Sequence, residues 1–133
     1  MAAGDRESLA LSQSYERLTQ EIEQLQQAVA QLDVEIQGCE DAVESLETIE
    51  DGSDVLVPLG GDARVRANVK HVDEVVVGVG ADTSVELERD DAVDVLEDKI
   101  DELEDAKQEL RNEVESRRQE LEDVARRAQS QMG

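Results

Sequence analysis

Two stretches of this chain carry a core-type residue in alternating steps of four and three, and this repeat constrains the fold more than any other feature. Leu11, Tyr15, Leu18, Ile22, Leu25, Val29, Leu32, Ile36, Cys39, Val43 and Leu46 form the first series. Val93, Leu96, Ile100, Leu103, Lys107, Leu110, Val114, Arg117, Leu121, Val124 and Ala128 form the second, which includes two cations. A 3.5-residue period keeps one seam of a helix turned toward a partner helix. Paired antiparallel, the two series match position for position with residue numbers that sum to 139, from Leu46 with Val93 out to Leu11 with Ala128. A seven-residue slip keeps the same period, and the equal lengths favour the register given. The pattern predicts helices over 6–51 and 90–130 that form an antiparallel hairpin, each seam rising roughly 54 Å, with both termini at one end.

The plainer reading of a heptad seam is core packing, and it covers most of these positions. Cys39 lies on the seam and reads as a small buried hydrophobe. Lys107 and Arg117 are expected to lay their stems along the seam and reach carboxylates beside it, fixing register at some loss of stability. Gly52 follows the first series and reads as a left-handed cap residue.

Between the arms, over 54–88, the period changes from 3.5 to 2. Val55, Val57 and Leu59 alternate with Leu56 and Pro58, Gly60-Gly61-Asp62 signals a turn, and Ala63, Val65, Ala67 and Val69 alternate with Arg64, Arg66 and Asn68. Val75, Val77 and Val79 lead to a second turn at Gly80-Ala81-Asp82-Thr83, after which Val85 and Leu87 alternate with Glu86 and Glu88. Two β-hairpins follow from this. Pro58 offers no ladder donor and belongs at an edge or bulge. Four short strands do not cover their own faces, and their edges are open templates. Val55, Val57, Leu59, Val65, Val69, Val75, Val77, Val79, Val85 and Leu87 are therefore expected to form a subunit-assembly surface.

The charge narrows the possible partners. Thirty-five acidic residues against 13 basic ones give a formal net charge of −22, spread over all parts of the chain. That field repels a phosphate backbone and an anionic membrane, so neither nucleic acid nor membrane is an expected partner. Two readings of the acidity remain. One is a cytosol of very high salt, where carboxylates hold water and salt screens their repulsion. The other is an acidic surface that recruits basic partners. No apolar run reaches the ~18 residues of a membrane span, and the first residues lack a secretory signal's basic and apolar regions, so a cytoplasmic location is expected.

No catalytic pattern stands out in the sequence. His71 is the only histidine and Cys39 the only cysteine, too few for a zinc site. Gly78-Val79-Gly80 lacks the third glycine of a dinucleotide loop, and no helix is predicted to open there. The expectation is a non-enzyme with no cofactor and no metal.

Two equal heptad arms around VLVPLGGDARVRANV and EVVVGVGADTSVEL, with AVDVLEDKIDELE opening the return arm, resemble the alpha class of the archaeal prefoldin family over nearly the whole chain. The acidity suggests a haloarchaeal member. The resemblance implies an α+β fold in a single domain spanning 1–133, a long antiparallel coiled-coil hairpin with two β-hairpins at its turn. It implies a heterohexamer of two alpha and four beta subunits built on the β-hairpins. The family's activity is that of an ATP-independent holdase, which grips unfolded client proteins at coiled-coil tips and passes them to a group II chaperonin. Fraying at helix ends frees seam residues there to serve a client. The expected client-binding residues are Leu9, Leu11, Tyr15, Leu18, Leu121, Val124, Ala128 and Met132. The alternative is a structural coiled-coil adaptor that binds one folded partner at the same residues.

Overall fold

The computed structural model describes residues 2–132, with side chains from 4 to 131. Two long helices, α1 (Ala2–Thr48) and α2 (Arg89–Met132), flank four strands: β1 (Asp54–Gly60), β2 (Ala63–Asn68), β3 (Val75–Gly80) and β4 (Thr83–Leu87). The chain divides into two compact units, residues 1–35 with 103–133 and residues 36–102.

In the first unit the helices pack antiparallel along the seam. Leu18, Ile22 and Val114 are buried, and Leu25, Val29, Leu32, Leu103, Leu110 and Leu121 are half-buried. Three side-chain contacts across the helices fix the register. Ser8 donates to Gln131, Arg117 to Glu21 and Lys107 to Asp33. Their residue numbers sum to 139, 138 and 140, so the seven-residue slip is excluded.

The second unit holds both hairpins and the adjoining helix segments, with Ile36, Cys39, Val72, Val77 and Ala92 as its buried apolar residues. The periodicity missed two of these. Val72 lies in the connector between hairpins, where its N–H donates to the Asp51 carboxylate at 2.8 Å. Ala92, fully buried in the first turn of α2, falls outside the heptad series. Gly52 serves a turn rather than the helix cap. The helix stops at Thr48, and Gly52, at φ +88°, donates its N–H to Val69 at 2.7 Å. The Val69 N–H in turn donates to the Ser53 carbonyl, closing the base of the first hairpin.

β1 pairs only with β2 and β3 only with β4, both antiparallel. The two hairpins are a structural repeat. Val55↔Ala67, Leu56↔Arg66, Val57↔Val65, Pro58↔Arg64 and Gly60↔Ala63 recur as Val75↔Leu87, Val76↔Glu86, Val77↔Val85, Gly78↔Ser84 and Gly80↔Thr83. Every position is offset by 20 residues. Each ladder shifts register before its turn, with Leu59 or Val79 as the extra residue, and Pro58 borders the first of these bulges. Both turns put their two central residues at positive φ, Gly61 and Asp62 (56° and 62°) and Ala81 and Asp82 (50° and 57°), each pair preceded by a bulge-side glycine also at positive φ, Gly60 (102°) or Gly80 (104°). This is the type I′ geometry whose twist suits a two-residue hairpin.

Ala81 stands where the first hairpin has Gly61, and a Cβ in the left-handed region costs about 1 kcal/mol or more. Ala81→Gly is expected to slow hydrogen exchange of the β3–β4 amides by about threefold, the gain being partly offset by glycine's freedom in the open chain. Gly61→Ala is expected to speed exchange of β1–β2 by a similar factor. No atom lies within 4 Å of a Cβ built at Gly61, so the cost there is backbone strain alone. Slower exchange in Gly61→Ala, or faster exchange in Ala81→Gly, would contradict the strain argument.

Candidate functional site

The ends of α1 and α2 that carry the chain termini enclose a groove of about 630 Å³. Leu11, Tyr15, Val124 and Ala128 supply its apolar lining, and Ser8, Ser12, Glu16, Ala125, Gln129 and Gln131 complete it. Four of the eight residues expected to bind a client thus share one surface. The seam explains why the groove exists. Tyr15 is the only seam residue left exposed, at 47%. Its seam partner in the 139 register is Val124, and Ala128 faces Leu11 one step further out. Small side chains opposite large ones leave space between the helices.

The other four residues lie differently. Leu9 is 60% exposed and does not line the groove. Leu121 is half-buried, one helical turn before Val124. Leu18 is only 2% exposed, so it acts as core while the helices stay paired. The side chain of Met132 lies outside the described residues.

The seam cations take the roles expected of them. Lys107 Nζ lies 2.9 Å from Asp33 and 3.3 Å from Glu104, and Arg117 Nε lies 2.9 Å from Glu21. The hydrogen bond to Asp33 raises the Lys107 pKa above its ordinary value, outweighing desolvation, and Glu104 adds to the effect. A raised folded-state value means that this contribution to stability is complete below the unfolded value of ~10.4 and is lost as pH rises through the folded one.

The assembly residues sit on the hairpins. Cross-strand pairing places Val55, Val57 and Val65 on one face of the first hairpin and Val75, Val77, Val85 and Leu87 on the equivalent face of the second. Val57, Leu59, Val65, Val79 and Val85 are exposed, and Val55, Val69, Val75 and Leu87 are half-buried. Val77 is already buried within the chain at 8%. Leu56 and Val76, on the opposite faces of β1 and β3, are also exposed, at 54% and 69%. Period-2 reading alone did not single them out; the 20-residue offset does.

No helix among the described residues is long and apolar enough to cross a membrane. The family model for prefoldin subunits matches residues 11–132. Among curated relatives, the "Prefoldin subunit alpha" of Haloarcula marismortui is 52% identical over 58 residues, which is 44% of this chain and 38% of that one. The corresponding protein of Halorubrum lacusprofundi is 51% identical over 57 residues, 43% of this chain and 38% of that one. These matches thus span under two fifths of the relatives' own length. The "Prefoldin subunit alpha" of Methanococcoides burtonii is 30% identical over 95 residues, 69% of each chain. Among solved structures, a chain in the cryo-EM structure of filamentous PFD from Methanocaldococcus jannaschii matches with a TM-score of 0.74 and 30% identity, covering 85% of this chain and 96% of that one. With two long helices, two intervening β-hairpins and a family match over nearly its whole length, this chain belongs to the prefoldin family.

Proposed function

We propose that the chain is the alpha-type subunit of an ATP-independent chaperone. It captures unfolded proteins in the groove between its helix ends and assembles with beta subunits, two alpha to four beta, through its hairpins. A group II chaperonin then receives the client. The groove carries this reading: it lies at helix ends, where pairing is weakest, and the seam residues Leu11, Tyr15, Val124 and Ala128 line it. Several such grooves in one complex would hold a client by avidity, with no single strong site. Release would need no nucleotide, because weak contacts exchange one at a time. The acidic surface suits a cytosol of molar salt, in keeping with the haloarchaeal relatives. Under those conditions apolar capture persists while charge-based capture is screened.

The test mixes the chain with a one-hairpin partner subunit and a chemically denatured client in molar salt, without ATP. Light scattering is expected to show suppressed aggregation once the hexamer has formed, for several unrelated clients. A correctly assembled hexamer that leaves aggregation unchanged defeats the proposal. Binding of one folded protein, and of no unfolded ones, identifies an adaptor instead.

A further inference from the structure

The seam of the first unit changes character at two layers. In the 139 register Ile22 faces Arg117 and Leu32 faces Lys107, whereas the other layers between Leu11 and Leu32 carry no charge. Among the described residues, the only ion pairs that cross from α1 to α2 lie at these two layers, Arg117 with Glu21 and Lys107 with Asp33, both at 2.9 Å. Outward of Arg117, the side-chain hydrogen bond that joins the helices runs from Ser8 to Gln131, and it is neutral, exposed and 3.4 Å long. Burial steps at the same place. Tyr15 is exposed and Leu11, Val124 and Ala128 are half-buried, but Leu18, Ile22 and Val114 are buried.

We propose that the two helix ends part for a client as one block, over residues 8–15 and 124–131. Leu18 and the Arg117–Glu21 pair form the stop at which the parting ends. Outside the stop, parting breaks one weak neutral hydrogen bond and widens the existing groove. Going further uncovers Leu18, Ile22 and Val114 and draws a guanidinium away from its carboxylate. Hydrogen bonds between ionised groups are roughly twice as strong as neutral ones. The contact also suits a salty medium. At molar salt the screening length is about 3 Å, close to the length of this pair, so direct contact survives where longer-range attraction does not.

The stop sets what each groove takes. From Ser8 to Tyr15 the helix rises about 10 Å and an extended chain advances about 3.3 Å per residue, so one groove holds an apolar stretch of about three residues. The seam inside the stop is not offered to the client, and Leu18 serves the groove by holding the helices together behind it. A client that binds only the parted form shifts the population toward that form. This control rests on the capturing role given to the groove under the proposed function, and adds where the opening ends and what ends it.

Two label pairs read the two sides of the stop in the full chain, with Cys39→Ala removing the native thiol. Gln13→Cys with Arg126→Cys carries nitroxides outside it, and Gln27→Cys with Asn112→Cys carries them inside; all four positions are exposed. The labelled chain is assembled with its one-hairpin partner, diluted with unlabelled copies and measured by pulsed electron spin resonance in molar salt. Before client is added, the outer distance distribution is expected to be the broader. A chemically denatured client is expected to lengthen the outer distance by about 5 Å, the width of one inserted extended strand, and to leave the inner distance unchanged. Glu21→Gln keeps the size of the side chain and removes its charge, and the parted fraction at the inner pair is expected to rise by about threefold or more. Exchanging the two charges, Glu21→Arg with Arg117→Glu, is expected to restore the parent's inner distribution, which a general loss of packing would not. Inner and outer distances that lengthen together in the parent, or an inner distance indifferent to Glu21→Gln, overturn the stop and leave capture standing. A captured client that lengthens neither distance overturns the parting. If the complex captures no client, the proposed function fails, and the distributions without client still judge the stop: equal widths on both sides overturn it.

Discussion

Replacing Tyr15 and Leu9 together by serine is expected to abolish most of the suppression of client aggregation while leaving the fold and the assembly intact. Both side chains are substantially exposed, at 47% and 60%, so their removal costs little packing within the chain. Changes at exposed positions without special contacts usually stay within about 0.5 kcal/mol. Client capture loses much more. Burying a large apolar side chain contributes about 1.5–3 kcal/mol, and the loss recurs at every groove that a client touches. Capture should fall by more than tenfold, and the deficit should remain in molar salt, where an electrostatic effect would vanish. Thermal unfolding and native mass would be measured alongside. Unchanged suppression by a normally assembled variant would remove these two residues from the client surface.

The heptad series was legible because coiled-coil packing writes its period directly into the sequence. Of the 22 seam positions only Tyr15 is exposed, and its departure from the rule marks the groove. The turns were legible too: Gly60-Gly61-Asp62 suits type I′ geometry, and Gly80-Ala81-Asp82 repeats it 20 residues on with a strained alanine at the first central position. Burial that depends on tertiary placement was not. Val72 sits among polar neighbours outside any periodic run, and its burial comes with a hydrogen bond to Asp51, 21 residues away. Ala92 is too small to register as a core residue in a hydropathy pattern, yet it is fully buried. The 20-residue offset between the hairpins could also be found in the sequence, but only by aligning them on their turns.

Leu18→Ala separates two roles for a residue that the heptad pattern placed among the client-binding tips. With 2% exposure, Leu18 sits in the seam as core, four positions before buried Ile22 and close to the Arg117–Glu21 pair. Truncation removes the transfer free energy of the lost atoms and leaves a cavity that two long helices fill only in part, at a cost of about 2–4 kcal/mol. The expected result is a lower unfolding midpoint, together with much faster hydrogen exchange in the first unit, whose helices have few other fully buried residues there. Exchange of the β-hairpin amides should change least if the two units open separately. Client capture in the variant then discriminates further. If pairing of the helix ends holds clients off the seam, loosening it exposes Leu11 and Val124 and capture increases despite the lost stability. If Leu18 itself grips the client, capture falls even though the loosened helix ends expose Leu11 and Val124. The buried position favours the first outcome, because a side chain already surrounded in the free protein gains no new burial from a client unless the helices part.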